Sequence, residues 1–273
     1  MPKIGYIEDF EKKLSSLVKS GVSFRIEMSG MTRVIHFLDA YGNTTNKSIY
    51  FGHKHTKRME GLELVTGVRS ELKKRIQDGE KAPSFVKGTK VVAFHIPNLV
   101  SASESEKPIA ELDINACYWT TAHKLGFISD ELFEKGWKKR RTAKIGLLTA
   151  IGSLNKSTYI ENFGFGKSEG IEKTKKDDEY RPYYWAVINE VNNLMNKAIN
   201  AIPEKDFLMW LTDCIYLKKE SADLIKKFFD DYGYEYKECE STIEKVDAKR
   251  VHWVNHKTGE SKYIFYSTSV RVK

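Results

Sequence analysis

Two apolar runs, each broken by one aspartate, constrain this chain more than any other feature. IAELDIN (109–115) carries Asp113, and FLMWLTDCIYL (207–217) carries Asp213. A carboxylate in apolar company is costly unless it is paired or coordinated. The first run reads as a buried strand ending on its acid. The second reads as strand, turn and strand, with Thr212-Asp213-Cys214 at the turn. Between them, YYWAVINEVNNLMNKAINAI has helical spacing, with Trp185, Ile188, Val191, Met195, Ala198 and Ile202 on one face. Beyond them, SADLIKKFFDDYG reads as a helix with an N-cap signal at Ser221 and a closing glycine. YEYKECE then alternates as a strand. With a basic helix and a loop set aside, 109–239 runs strand, helix, strand, strand, helix, strand. That is the split βαβ order of a ferredoxin-like antiparallel sheet. In such a sheet the first strand pairs beside the central hairpin, so acids 100 positions apart converge.

The rest of the chain divides around a polar segment, NLVSASESEKP, which reads as a linker or surface loop ending at Pro108. Residues 1–108 are expected to form a small α+β region. It holds a helix over 5–19 (Ile7, Phe10, Leu14, Leu17), an antiparallel sheet from about 22 to 53, a basic helix near 67–77 and a strand at 90–96. Residues 109–273 are expected to form the second domain, closing on a hairpin around Lys257-Thr258-Gly259. Within it, a basic helix from about 130 to 152 sets Arg140 and Lys144 four residues apart, on one face. Residues 153–182, rich in Gly, Lys, Asn and Ser, read as an exposed loop.

Two facing carboxylates repel and call for a cation. Hard divalent cations with oxygen ligands fit, Mg²⁺ above all. A basic helix nearby suits a triphosphate. The competing readings are a turn aspartate bonding its own backbone at Asp213 and an ordinary solvated face for the basic helix. With 45 Lys+Arg against 37 Asp+Glu, the net charge is +8, which suits a polyanionic partner. Cys117, Cys214 and Cys239 are odd in number and lack zinc spacing, so a reducing cytoplasmic compartment is expected. No run approaches the roughly 20 apolar residues of a membrane span, and no signal peptide is seen at the N-terminus. His53 with His55, and His252 with His256, lack the further ligand a zinc set needs. Gly164-Phe165-Gly166-Lys167 matches only a fragment of a phosphate loop.

On these residues the chain resembles family B DNA polymerases. Asp113-Ile114-Asn115-Ala116-Cys117-Tyr118 keeps the Asp and Tyr of the family's first palm motif, with Ser, Leu and Pro replaced. Lys144-Ile145-Gly146-Leu147-Leu148-Thr149-Ala150-Ile151-Gly152 resembles the fingers motif at Lys, Ile and the final Gly; Thr149 replaces Ser, Leu148 replaces Asn and Ile151 replaces Tyr. Leu211-Thr212-Asp213-Cys214 stands where the family has Asp-Thr-Asp-Ser, with the first Asp lost to Leu211 and the metal-binding one kept. Lys262-Tyr263 is similar to the downstream element that grips the primer.

The resemblance covers about 109–239. It implies an α+β fold with a polymerase-type palm, short helical fingers over about 119–152 and a small N-terminal α+β region. It implies a minimal DNA polymerase of phage or mobile-element type, without an exonuclease domain. By the resemblance Asp113 and Asp213 bind two Mg²⁺ (or Mn²⁺) ions about 3.5–4 Å apart. Lys144, Arg140 and Arg141 hold the triphosphate, Tyr118 stacks under the sugar, and Lys262 with Tyr263 meets the primer. The partners implied are DNA, nucleoside triphosphates and other replication proteins. The alternatives are a decayed palm that binds nucleic acid, a metal-dependent nuclease, and an interaction module without chemistry.

Overall fold

The structure, a computed structural model, describes residues 3–29, 32–52, 59–88, 91–140, 142, 144–174 and 178–265. His53, His55 and Arg141 lie outside the described residues. In chain order the first elements are β1 (Lys3–Tyr6), α1 (Phe10–Lys19), β2 (Phe24–Ser29), β3 (Thr32–Leu38), β4 (Thr44–Gly52) and α2 (Met59–Gln77). Then come β5 (Val92–Phe94), α3 (Ile96–Ser105), β6 (Ile109–Ile114), α4 (Cys117–Lys124), α5 (Asp130–Lys138), α6 (Lys144–Gly152), β7 (Thr158–Gly164) and β8 (Lys167–Lys173). The last are α7 (Arg181–Asn200), β9 (Phe207–Leu211), β10 (Cys214–Lys218), α8 (Ala222–Asp231), β11 (Tyr236–Val246), β12 (Arg250–Asn255) and β13 (Ser261–Phe265). The fold is mixed α+β with two sheets.

The chain forms two compact units that interleave in sequence. One holds Met1–Ala82 and Arg141–Tyr184; the other holds Pro83–Arg140 and Trp185–Lys273. Residues 83–108, grouped above with the N-terminal region, therefore belong to the second unit, together with both acids.

The first unit carries a six-stranded sheet in the order β1-β4-β3-β2-β7-β8, with only the β1–β4 pair parallel. Phe10 and Leu17 of α1 pack on one face against Phe24, Ile26, Ile35, Phe51 and Phe163. The Phe24 and Phe163 rings stack at 4.5 Å. Leu64, Val68 and Leu72 recur every four residues on α2 and are fully buried, and α2 packs against α6. Two elements here differ from the expectation. Residues expected as a loop form the hairpin β7–β8, because Thr158 and Phe163 supply buried anchors while every residue of β8 stays exposed. The Phe165-Gly166 turn has positive φ at both positions (49° and 76°), the geometry of a two-residue hairpin and not of a phosphate loop.

The second unit carries a seven-stranded antiparallel sheet, β13-β12-β11-β6-β10-β9-β5. On one face Ala110, Leu112, Ile114, Ile215 and Leu217 meet Val191, Leu194 and Met195 of α7 and Ile225 and Phe229 of α8. On the other, Ile109, Cys214, Tyr216, Ile243 and Trp253 meet Leu99 and Ala102 of α3. Burial on both faces explains why β6, β9 and β10 read as nearly unbroken apolar runs. The segment expected as a linker is the helix α3. His95 caps it, with Nδ1 accepting from the Asn98 N–H at 3.3 Å, and Pro97 occupies its first turn. Among the described residues, no helix is long and apolar enough to cross a membrane.

Candidate active site at the end of the central strands

β6 lies between β10 and β11, and register sets what surrounds Asp113. Cys214 is its partner on β10 and Lys237 its partner on β11. Asp213 precedes Cys214 in the β9–β10 turn, and its carbonyl accepts from the Ile114 N–H at 3.0 Å. The fold thus brings the two acids to the same end of adjacent strands. Both negative charges also bear on one thiol. The Cys117 pKa is pushed well up, first by burial, then by Asp213, with Asp113 adding a smaller push. Cys214 is raised in the same direction by burial, Asp113 and Glu111.

The backbone around both acids is unusual. Thr212 takes φ 53°, and Ala116, three residues after Asp113, takes φ 47°. A β-branched residue at positive φ is strained. Three bonds involving Thr212 hold it there: its N–H donates to the Val91 carbonyl at 2.6 Å, its carbonyl accepts from Trp210 Nε1 at 2.7 Å, and its hydroxyl donates to Asp213 Oδ1 at 2.8 Å. Ala116 turns the chain sharply from β6 into α4. α4 starts at Cys117, four residues after Asp113, with no side-chain hydrogen bond from its N-cap residue Ala116; the N-terminal end of a helix favours anions.

Asp113 has a partner that the sequence did not disclose. Lys237 Nζ lies 2.6 Å from Asp113 Oδ2, and this hydrogen bond is the main cause of a raised Lys237 pKa. Two residues along β6, Glu111 accepts from Ser241 Oγ at 2.8 Å and from Asn255 Nδ2 at 3.1 Å. Alternation puts Glu111 and Asp113 on the same sheet face. Arg140 stays in this unit. Its Nη2 pairs with Glu235 Oε2 at 3.4 Å, its guanidinium lies 4.3 Å from the Trp137 ring centroid, and Glu235 accepts through its carbonyl from the Asn115 N–H at 2.8 Å. Arg140 therefore sits near the acid-bearing end of the sheet.

Other expected site residues are more dispersed. The helix expected over 130–152 is broken. α5 ends at Lys138, its last carbonyls taken by Lys139 N–H and Arg140, and α6 begins at Lys144. Arg140 and Lys144 therefore do not share a helix face, and Lys144 is an exposed residue of the first unit. Tyr118 is half-buried and packs against the core under α7 and α8. Lys262 lies over Trp253 at 4.6 Å, and Tyr263 is held between Arg250 at 4.0 Å and His252 at 4.6 Å. Their register partners, Trp253 and His252, alternate on β12, so Lys262 and Tyr263 point to opposite faces. His252 binds Glu244 and Ser261, and His256 binds Thr242.

A divalent cation fits the donor chemistry of the acid pair: two carboxylates, hard oxygen ligands, near one strand end. Among the described residues no group of three or more His, Cys, Asp or Glu side chains is placed to hold a metal ion. Water or substrate phosphate would have to complete any coordination shell around the pair. Comparison with protein-family models, curated proteins and solved structures gave no match.

Proposed function

We propose that the second unit is the palm of a nucleotidyltransferase resembling family B DNA polymerases, adding nucleotides to a primer 3′-hydroxyl. The observation that carries this reading is the juxtaposition of Asp113 and Asp213 on adjacent strands, with Thr212 held in a strained conformation beside them. Strand order supports it: β11-β6-β10-β9, with α7 before the central hairpin and α8 after it, is the split βαβ arrangement. Asp113 and Asp213 would hold Mg²⁺ or Mn²⁺. A bound cation of this kind neutralises charge on phosphate oxygens. The α4 N-terminus and Arg140 would receive the phosphates of the incoming nucleotide. The net charge of +8 suits a nucleic-acid partner, and three free cysteines suit a reducing, cytoplasmic setting.

The test is primer extension with the full chain, Mg²⁺ and nucleoside triphosphates. Asp213→Asn is expected to abolish incorporation while the protein remains folded. An active Asp213→Asn enzyme sinks the proposal. A second reading draws on the Lys237–Asp113 ion pair, which already neutralises one acid: a palm that binds nucleic acid without chemistry. It predicts salt-dependent binding and no incorporation by the wild type.

A further inference from the structure

Lys237 stands directly across from Asp113 in the β11–β6 ladder, and its ammonium touches Oδ2 at 2.6 Å. On the same face Glu111 is engaged by Ser241 and Asn255, and the other acids of this strand region have cations of their own. Glu235 holds Arg140, Glu238 holds Lys226 at 2.8 Å, and Glu240 holds Lys219. The Asp113 side chain is 20% exposed, while that of Lys237 is 52% exposed. The acid is therefore fixed in the sheet, and the lysine is the partner with room to move. A long, flexible ammonium pairs with a carboxylate as a point charge and carries substantial rotamer freedom when released.

We propose that Lys237 is a tethered competitor for the divalent cation at Asp113. The ammonium supplies a positive charge while no cation is bound, so Asp113 is not left bare in its apolar strand. A cation that binds must take over the carboxylate and send Lys237 out to solvent. Lys237 thereby weakens cation binding and lets Asp113 hold the cation firmly only when substrate phosphates share the coordination. This inference rests on the palm reading of the acid pair.

The experiment measures Mn²⁺ affinity directly, from loss of the free-ion electron paramagnetic resonance signal, with no nucleotide or DNA present. The full chain is compared with Lys237→Met, Lys237→Gln, Lys237→Arg and Asp113→Asn. Removing the ammonium is expected to tighten Mn²⁺ binding about fivefold, as for loss of a half-exposed ion pair. Lys237→Arg should stay as weak as the wild type, and Asp113→Asn should abolish the site. The Met and Gln variants guard against a folding defect in either one. Equal affinity in wild type, Lys237→Met and Lys237→Gln, with Asp113→Asn still abolishing binding, overturns the role of Lys237 and leaves the acid site standing. Mn²⁺ binding that is absent from every variant, or indifferent to Asp113→Asn, overturns the palm reading together with this inference.

Discussion

Gly136 in α5 faces the indole of Trp119, the second residue after Cys117 in α4. A Cβ at Gly136 would lie 2.6 Å from Cε2 and Cζ2 of that ring and 2.8 Å from Nε1. The ring is buried, at 1% exposure, and Nε1 donates to the Phe133 carbonyl at 3.2 Å. It cannot swing clear without giving up that bond. Forcing a methyl into a packed core costs about 1–3 kcal/mol, and the lost hydrogen bond about 1 kcal/mol. Alanine's helix propensity returns about 1 kcal/mol over glycine. Gly136→Ala should therefore destabilise the second unit by about 1–3 kcal/mol. With a urea dependence of about 2 kcal/mol per molar, the midpoint falls by roughly 1 M. All five tryptophans lie in this unit, so their fluorescence follows its unfolding. An unchanged or raised midpoint would show that Trp119 yields without cost and would refute the packing argument. Gly152 supplies the contrast. It is helical, with φ −58°, and among the described residues nothing beyond its chain neighbours and its own helix backbone lies within 4 Å of where a Cβ would sit. Gly152→Ala should stabilise the first unit by up to about 1 kcal/mol, followed by far-ultraviolet circular dichroism.

Three further outcomes are expected. Cys117 and Cys214 are buried with raised thiol pKa values, and Cys239 is half-buried, so one thiol should react readily with a disulfide reagent in native protein and all three in urea; rapid native reaction of a second thiol contradicts this. Glu111→Ala strands the donors of Ser241 and Asn255, both buried, and should cost about 2–4 kcal/mol, with a smaller loss for Glu111→Gln; urea titration by fluorescence decides. The Tyr234 hydroxyl, buried and bonded to Thr121 Oγ1 at 2.9 Å, has its pKa pushed up to about 12, mainly by burial. The folded state then keeps a proton that the unfolded state loses, so stability should fall from about pH 10 to 12. Tyr234→Phe should flatten that slope; an unchanged slope removes Tyr234 as its source.

The acid strands were legible because burial on both faces leaves a long apolar run, and an aspartate inside one is conspicuous. IAELDI and FLMWL-CIYLK form β6, β9 and β10 where the pattern put them. Lys237 was not legible as a partner of Asp113. That pairing depends on β11 register, which no local pattern in YEYKECE announces. The helix α3 is hard to see in the sequence because a serine-rich segment needs only Leu99 and Ala102 for its buried side, two residues that make no visible stripe. β8 leaves no signal because an edge strand with every side chain exposed has no apolar-polar alternation. The break between α5 and α6 leaves no mark in the spacing, because Arg140 and Lys144 stand four apart whether or not a helix joins them.

The interleaving of the two units has a consequence for how the chain must be made and handled. The backbone passes from one unit to the other after residues 82, 140 and 184. Neither unit is a single stretch, so no single cut separates them. Synthesis runs in the same order. β6 is complete at residue 114, but its ladder partners, β10 and β11, begin at residues 214 and 236. For about a hundred residues of elongation an apolar strand carrying Asp113 waits with neither edge paired. Such a strand invites wrong pairing, and its two acids, Glu111 and Asp113, are the charges within it that discourage a partner until β11 arrives with a lysine.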